Sequence, residues 1–333
     1  MEFKSALDVQ IAEKMLKFPL LGERIEGAWN LSLTNEFHMT NDSHLFKTEP
    51  GPRRLPLYEG KMIWQFDAHY AEPRYWVNQQ ECADVFRASL ARKLNLLLRA
   101  ENPGMEKEYA DTLIDSEQLQ LDVQQFRFGF RDIAASTNER AMICSMLPRQ
   151  HFAGNTINLQ QPYEFVVQGE TWQQLPTMDN SEKLYVSAVL NGFVVDWMLR
   201  QKITSHLNMF YVYQVPMPRN AYGKFGQAIS MRAARLICTT PEFDDLAKAV
   251  GLKPQSPHPS LLPKGEGASQ IQYGATDPTE RAQLRAELDG LVAHLYGLSE
   301  AEFAHILGTF PLVAQPVKVA AQNAYRDVER GLI

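Results

Sequence analysis

The stretch Leu55–Val77 mixes polar side chains with closely spaced aromatic residues, a combination that could recognise nucleic acid. Between Lys61 and Asp67 apolar and polar residues alternate, and this period of two predicts a half-buried β-strand. The outer face of such a strand would hold hydrogen-bond donors and acceptors, including Gln65, on a firm platform, as a surface that reads base edges requires. An ordinary exposed strand has the same pattern, so both interpretations stay open.

A second alternating segment, 126–131, places phenylalanines on one side and Arg127 and Arg131 on the other. It predicts a strand with an aromatic inner face and a cationic outer face. Two arginines on one strand face can reach phosphates or guanine edges. They can equally pair with acids on a neighbouring strand. Beyond the polar turn at 136–138, the apolar residues from 140 to 147 are expected to be buried.

A different chemistry is suggested by Asp42, Glu59 and Lys61, in which two acids precede a lysine. Such a set could hold Mg²⁺ and position a water for phosphodiester cleavage. The alternative function is therefore a magnesium-dependent nuclease of the restriction endonuclease type. The pattern is short and loose, and patterns of this kind often arise by chance.

Composition narrows the classes of function. The chain has 333 residues, which favours two domains or one domain with an appendage, and its formal net charge of −6 argues against gripping nucleic acid by bulk charge. The three cysteines, at 82, 144 and 238, lack the spacing of a zinc site and predict free thiols in the cytoplasm. The N-terminus does not have the pattern of a signal peptide, and no apolar run is long enough to span a membrane.

Hydrophobic periodicity and breakers suggest how the chain is organised. We expect an α/β (α+β) fold with a mixed, twisted β-sheet recognition domain, a long scaffold helix and a C-terminal helical region. The predicted divisions are a recognition-like domain at 1–218 with its scaffold helix at 181–203, a helical connector at 219–251, a Pro/Gly-rich linker at 252–278 and helices at 279–333. Further helices are expected near 2–18 and 80–118, and a strand-like aromatic run at 206–215.

Several stretches in order resemble one known family. They are Glu36–Phe46, Leu55–Val77, Phe126–Arg149, Asn155-Thr156, Leu190–Arg219 and Arg285–Val313. The set resembles the C-terminal, target-recognition half of large bacterial adenine-specific DNA methyltransferases of the Eco57I-like restriction–modification type. The helix at Leu190-Asn191-Gly192 followed by Pro216-Met217-Pro218 is also similar to the layout of type I specificity subunits. The resemblance extends from about residue 20 to 315.

In that family the N-terminal half binds AdoMet and carries an Asn-Pro-Pro-Tyr catalytic motif. This chain departs from the family because it contains no Pro-Pro dipeptide and no Gly-rich loop after a strand; Gly265-Glu266-Gly267 falls in the predicted linker. The resemblance therefore implies recognition of double-stranded DNA in a type II restriction–modification, phage-defence context, without methyl transfer by this chain alone. AdoMet is expected on a methyltransferase catalytic domain or subunit, either fused upstream or encoded separately.

Alternation and family position together define a candidate DNA-reading surface. Phosphate contacts would set the register, Gln65 could pair with adenine, and arginines could pair with guanine. The candidate residues are Lys61, Gln65, Asp67, His69, Arg74, Arg127, Arg131, Asn138 and Arg140. A third possible role is that of a helical scaffold that clamps the catalytic partner through 279–330, where the leucines at 284, 288, 291 and 295 form a stripe at helical spacing.

Overall fold

Strands and helices are largely segregated along the chain, which confirms the α+β class. The computed structural model describes residues 3–135, 137–255 and 272–333. Within them the α-helices are α1 (Ala6–Met15), α2 (Gln79–Glu101), α3 (Lys107–Thr112), α4 (Asn180–Asn191), α5 (Phe193–Arg200), α6 (Met209–Tyr213), α7 (Lys224–Ile237), α8 (Asp244–Ala249), α9 (Pro278–Leu295), α10 (Glu300–Gly308) and α11 (Gln315–Glu329).

The strands are short and belong to three sheets. They are β1 (Leu33–Thr34), β2 (Arg54–Tyr58), β3 (Tyr75–Asn78), β4 (Arg127–Arg131), β5 (Cys144–Leu147), β6 (Phe152–Ala153), β7 (Ile157–Gln160), β8 (Tyr163–Gln168) and β9 (Thr171–Pro176). An antiparallel sheet has the order β1-β7-β4-β5, and a mixed sheet has the order β3-β2-β6. Strands β8 and β9 form a hairpin that packs on α2.

The largest apolar core lies where α4, α5, α7 and α9 meet the four-stranded sheet. Phe128 and Phe130 of β4, Trp197 of α5 and Leu291 of α9 are all completely or almost completely buried in it. Most of the leucine stripe of α9 therefore belongs to the core, with Leu295 packed partly buried against it. Residues of both the predicted 1–218 unit and the 279–333 helices contribute to this one core, while the domain boundaries themselves stay a prediction.

The predicted scaffold helix at 181–203 is two helices, because the chain breaks at Gly192 between α4 and α5. A β-carbon at Gly192 would lie 3.2 Å from a methyl of Val292, so α9 leaves little room for a side chain there. Helix α4 begins at the capping box of Asp179 and Glu182, which satisfies backbone amides that the first helical turn leaves without partners. The break leaves the carbonyl of Asn191 free of helical partners.

The prediction of a strand from Lys61 to Asp67 was wrong. A 3-10 helix covers Gly60–Met62, and Trp64 and Asp67 then pair across a tight turn. Phe66 has a φ of 61°, which extended strands do not allow. Ile63, Gln65 and Phe66 are all buried, so the alternating pattern does not correspond to one buried and one solvent face.

The strand-like run at 206–215 was also predicted wrongly, since it contains the short helix α6. Asn208 caps this helix by accepting a hydrogen bond from the amide of Tyr211. Aromatic residues favour strands on average, but packing overrides such local preferences. Here the Tyr213 hydroxyl accepts a 2.7 Å hydrogen bond from the amide of Leu33, which fixes α6 against β1.

Most of the predicted linker at 252–278, including Gly265-Glu266-Gly267, lies outside the described residues. Helix α9 begins at Pro278, capped by Asp277. The predicted capping box of Ser299 and Glu302 is confirmed at the start of α10.

Candidate nucleic-acid interface

The segment 59–70 folds into a compact loop that lies beside the end of β4. The amide of Met62 donates to the carbonyl of Glu59 at 2.8 Å, and the amide of Tyr70 donates to the carbonyl of Met62 at 3.0 Å. The amide of Gly60 donates to the hydroxyl of Thr156 next to β7, and a β-carbon at Gly60 would lie only 2.9 Å from the carbonyl of Thr156. Glycine thus allows the loop to lie close against the sheet.

This loop presents two aromatic rings to Arg131, the last residue of β4. The rings of Trp64 and Tyr70 stack with their centroids 5.2 Å apart. The guanidinium carbon of Arg131 lies 5.0 Å from the centroid of Trp64 and 5.8 Å from that of Tyr70. Its Nε and Nη2 both donate to the carbonyl of Ile63, which fixes the guanidinium in place. We call Trp64, Tyr70 and Arg131 the exposed aromatic cluster.

The exposed aromatic cluster combines a flat apolar surface with a fixed cation. Tyr70 is 55% exposed, Trp64 and Arg131 are half-buried, and partial burial lowers the pKa of Arg131 from its ordinary value. Cation–π contacts of this kind hold an arginine in a defined orientation. Exposed aromatic rings and arginine planes are surfaces on which nucleic-acid bases stack.

Charge around the cluster is mixed. Lys61 is exposed, and its ammonium lies 3.3 Å from the carboxylate of Glu59. His69 is exposed and its Nε2 lies 2.9 Å from the carboxylate of Glu242. This contact raises the pKa of His69 and lowers the pKa of Glu242. Affinity for a polyanion would therefore depend on a few placed cations rather than on a broad positive field.

Two of the predicted surface residues, Gln65 and Arg140, are instead buried in the core. The amide nitrogen of Gln65 donates to the carbonyls of Met142 and Asn191 at 2.9 and 3.1 Å. Arg140 donates to the same Asn191 carbonyl and pairs with Asp196 at 2.8 Å. They satisfy the carbonyl that the break at Gly192 exposes. Their side chains are thus inside the fold and not on its surface, contrary to expectation.

Asp196 lies at the centre of this buried group. Its carboxylate accepts from Arg140, from the amide of Ala141 and from Nε of Arg200, the last at 3.0 Å. The guanidinium of Arg140 also lies 4.1 Å from the ring centroid of Phe193. We call Gln65, Arg140, Asn191 and Asp196 the buried polar cluster. Its contacts join β5 and the 59–70 loop to α4 and α5.

Arg127, predicted on a cationic outer face, is 1% exposed. Its Nη1 lies 2.5 Å from the carboxylate of Glu36, and its Nη2 donates to the carbonyl of His151 at 2.7 Å. The prediction of an exposed face was wrong because the loop after β1 covers this side of β4. The open alternative, pairing with a nearby acid, describes Arg127 correctly.

The remaining predicted residues lie at the surface or near it. Asp67 is half-buried and accepts from the amide of His69 at 2.8 Å. Arg74 is exposed, with its guanidinium 4.8 Å from the ring centroid of Tyr75. Asn138 is exposed in the loop after β4. Direct contacts thus join Arg131 to the 59–70 loop, whereas His69 and Arg74 contact other neighbours.

The three residues predicted for the alternative nuclease site, Asp42, Glu59 and Lys61, do not share their contacts. Glu59 pairs with Lys61, whereas the carboxylate of Asp42 accepts from the amide of His38 at 2.7 Å. Among the residues that the structure describes, no group of three or more His, Cys, Asp or Glu side chains is placed to hold a metal ion. Helices long and apolar enough to cross a membrane are likewise absent from that part of the chain.

Trp64 and Tyr70 were not among the site residues predicted from the sequence, although both lie in the stretch Leu55–Val77. Because Trp64 was assigned to the apolar face of a strand, its role beside Arg131 was not expected. The aromatic richness of 55–77 was the available signal. A cleft at the start of α2 was also missed, since its residues come from four separate segments.

Comparison with known proteins finds similarity among solved structures only. No protein-family model and no curated protein sequence matches the chain. Among solved structures, the chain is similar to the Type IIL restriction-modification enzyme MmeI in complex with DNA, with a TM-score of 0.39 and 12% sequence identity. The similarity covers 88% of this chain and 37% of that enzyme, so the chain spans little more than a third of its length.

Proposed function

We propose that this chain is a DNA-recognition module of a bacterial restriction–modification system and works beside an adenine-specific methyltransferase catalytic domain or subunit. The order of sequence motifs that resembles the target-recognition half of such enzymes supports the proposal. In this scheme AdoMet binds to the catalytic partner, and this chain selects the site on the duplex without activity of its own.

The exposed aromatic cluster is the observation that carries the proposal. Arg131 is held by a backbone carbonyl and by two rings, so its guanidinium reaches DNA already oriented. An oriented arginine can make two parallel hydrogen bonds to guanine, a contact that contributes about 1–3 kcal/mol of discrimination. Tyr70 offers an exposed ring beside it for stacking or for contact with a thymine methyl.

The surface residues of the predicted set complete this proposal. Lys61 adjoins the cluster through the 59–70 loop and would contact phosphate, as would Arg74 and Asn138 on neighbouring loops. Gln65, Arg127 and Arg140 are left out because their side chains are buried and bonded inside the fold. The net charge of −6 fits a module whose affinity is shared with a catalytic partner.

The test is selection from a random duplex library by the full chain, alone and mixed with the methyltransferase encoded beside it. We expect an enriched sequence motif, and we expect Arg131→Ala to weaken binding of that motif about tenfold or more while relaxing preference at one position. The dependence of binding on salt should change little, since a base contact releases no counterion.

The matched control is Arg92→Ala, which removes the same charge from an exposed arginine bonded only within α2. It should leave the motif and the affinity unchanged. Two results would contradict the proposal: no enriched motif with either form of the protein, or equal effects of Arg131→Ala and Arg92→Ala.

A further inference from the structure

A polar cleft of about 490 Å³ lies at the N-terminal end of α2, apart from the exposed aromatic cluster. Its floor is apolar and is formed by Leu121, Val123 and Phe152. Its polar lining consists of two arginines and four glutamines, namely Arg53, Arg87, Gln79, Gln80, Gln124 and Gln150. We call this feature the α2 cleft. Its volume is in the range of sites that bind small molecules.

The two arginines of the α2 cleft are poorly satisfied by the protein. Within the described residues, the guanidinium of Arg53 has no hydrogen bond or ion pair and is open to water, so a ligand could bind it without breaking a contact. Nη1 of Arg87 lies 3.7 Å from Asp84, and its Nε is buried without an acceptor. Four other arginine Nε atoms in the described residues also lack acceptors, but Arg87 is the one among them that lines this cleft. An anion in the cleft would supply an acceptor for its Nε.

The backbone at the cleft is also unusual. Arg53 has a φ of 57° and Gln150 a φ of 64°, so two of the three non-glycine residues with positive φ in the described chain line this one cleft. Hydrogen bonds hold both: the amide of Gln79 donates to the carbonyl of Arg53 at 2.9 Å, and the amide of Gln150 donates to the carbonyl of Val123 at 2.6 Å. Residues held in such conformations concentrate at ligand sites.

The glutamines add hydrogen-bonding groups that the protein uses only in part. Gln79 and Gln150 make one long contact of 3.5 Å with each other, and the side-chain nitrogen of Gln80 donates to Asp84 at 2.8 Å. Carboxamides present a donor and an acceptor side by side, which matches the edges of nucleobases. The positive end of the macrodipole of α2, a helix of 23 residues, adds to the potential that favours an anion.

We propose that the α2 cleft binds one nucleotide unit, with the phosphate on Arg53 and Arg87 and the base edge on the glutamine amides. The unit is either a free nucleoside monophosphate or a nucleotide that has left the stack of a DNA molecule. Both present a phosphate ester joined to a base. Binding of a free nucleotide does not depend on the function proposed above.

The experiment measures binding of four deoxynucleoside monophosphates and of inorganic phosphate to the full chain by calorimetry. In parallel it compares a fully paired duplex with the same duplex containing one unpaired nucleotide. The variants are Arg53→Ala, whose side chain makes no contact needed for folding, and Arg87→Ala. Arg92→Ala is the control, since it removes the same charge from α2 outside the cleft. Thermal unfolding confirms that each variant is folded.

Two results support the proposal and identify the source of the nucleotide. The ligand is a free nucleotide if a monophosphate binds the wild type more tightly than inorganic phosphate does. Its affinity should then fall about tenfold or more in Arg53→Ala. The nucleotide comes from DNA if the protein binds the duplex with an unpaired nucleotide more tightly than the fully paired duplex. Arg53→Ala should then lose this preference. Arg92→Ala should resemble the wild type in both arms.

The proposal is overturned if no monophosphate and no unpaired nucleotide is preferred, or if folded Arg53→Ala binds them as the wild type does. It is also overturned if inorganic phosphate binds as tightly as every monophosphate, because the base then makes no contribution. Binding of a monophosphate without binding of any duplex would leave the cleft as proposed and would count against the DNA-recognition function.

Discussion

Gln65 and Arg140 of the buried polar cluster come from the same two stretches of sequence as the exposed aromatic cluster, yet the two clusters have opposite roles. Arg140 and Arg131 are nine positions apart and carry the same side chain. Arg140 meets the carboxylate of Asp196 and the carbonyl of Asn191 inside the core. Arg131 meets the carbonyl of Ile63 and two rings near the surface. Distant partners, and not the local pattern, decide which arginine is available to a ligand.

The comparison implies that the buried polar cluster determines folding stability, whereas the exposed aromatic cluster determines DNA binding. Removing a charged member of the buried polar cluster should strongly destabilise the fold, because its charged partner would stay in the core without a counter-ion. Removing a member of the exposed aromatic cluster should reduce DNA binding and change stability little.

The largest effect is expected for Asp196→Ala. This carboxylate is fully buried and faces both Arg140 and Arg200, so its loss leaves two cations unbalanced in the core. We expect the free energy of unfolding to fall by about 3–5 kcal/mol, as for other buried ion pairs that lose one partner. Urea titration followed by circular dichroism measures the change.

A matched surface variant, Asp245→Ala, removes a carboxylate that is 59% exposed and pairs with Arg149. It should cost less than about 1 kcal/mol, because water screens such pairs. Similar losses for the two aspartates would mean that the buried polar cluster does not stabilise the core in the way that its contacts indicate.

A smaller effect is expected for Asp289→Asn at the edge of the buried polar cluster. Burial raises the pKa of Asp289 to about 6, while its Oδ1 accepts a 3.0 Å hydrogen bond from the amide of Phe193. In the folded state this carboxyl group holds its proton more tightly than in the unfolded chain. The contribution of Asp289 to stability is therefore fully present below the unfolded pKa of 3.8 and is lost as the pH rises from about 4 through 6.

The asparagine of Asp289→Asn keeps an acceptor for Phe193 and cannot ionise. We expect this variant to gain stability relative to the wild type as the pH rises over that window, by on the order of 2 kcal/mol. Urea titrations at pH 4, 5, 6 and 7.5 measure the difference. If the difference in the free energy of unfolding between the two proteins is the same at all four pH values, Asp289 is not the group that links stability to pH.

The elements that the sequence predicted well are those in which local signals and packing agree. Helix α10 follows the capping box at Ser299, and β4 follows the alternating phenylalanines. Helix α6 was missed because its residues, rich in aromatics, favour a strand locally. The contacts that make it a helix, such as the bond between Tyr213 and Leu33, join positions 180 residues apart.

The candidate site was predicted only in part, for a related reason. The alternating phenylalanines of 126–131 correctly predicted that Arg131 lies at the end of an aromatic strand. The burial of Gln65 was not predicted, and Arg140 was assigned to the reading surface although the run from 140 to 147 was expected to be buried. Both side chains bind the carbonyl of Asn191. That carbonyl is available only because the chain breaks at Gly192, where α9 approaches closely. A periodic pattern contains no information about such an acceptor.

The smallest effect is expected at the surface, where His69 ties the 59–70 loop to Glu242. Their contact raises the pKa of His69 and lowers that of Glu242. The raised histidine contributes stability that is present below its unfolded pKa of 6.5 and is lost as the pH rises. The lowered glutamate contributes stability that is present above 4.5 and is lost as the pH falls. The pair therefore stabilises the fold most between these values.

His69→Gln should lower stability within that window by less than about 1 kcal/mol, since both side chains are more than 40% exposed. As the pH rises through the raised pKa of the histidine, its charge is lost in the wild type as well, so the difference should shrink. Thermal unfolding at pH 5.5 and 8 measures this, and a double-mutant cycle with Glu242→Gln isolates the pair. A loss of equal size at both pH values would mean that His69 acts by packing. The loop that carries Trp64 and Tyr70 would then be anchored by packing contacts, as the core is, and the separation between the two clusters would be weaker than their geometry implies.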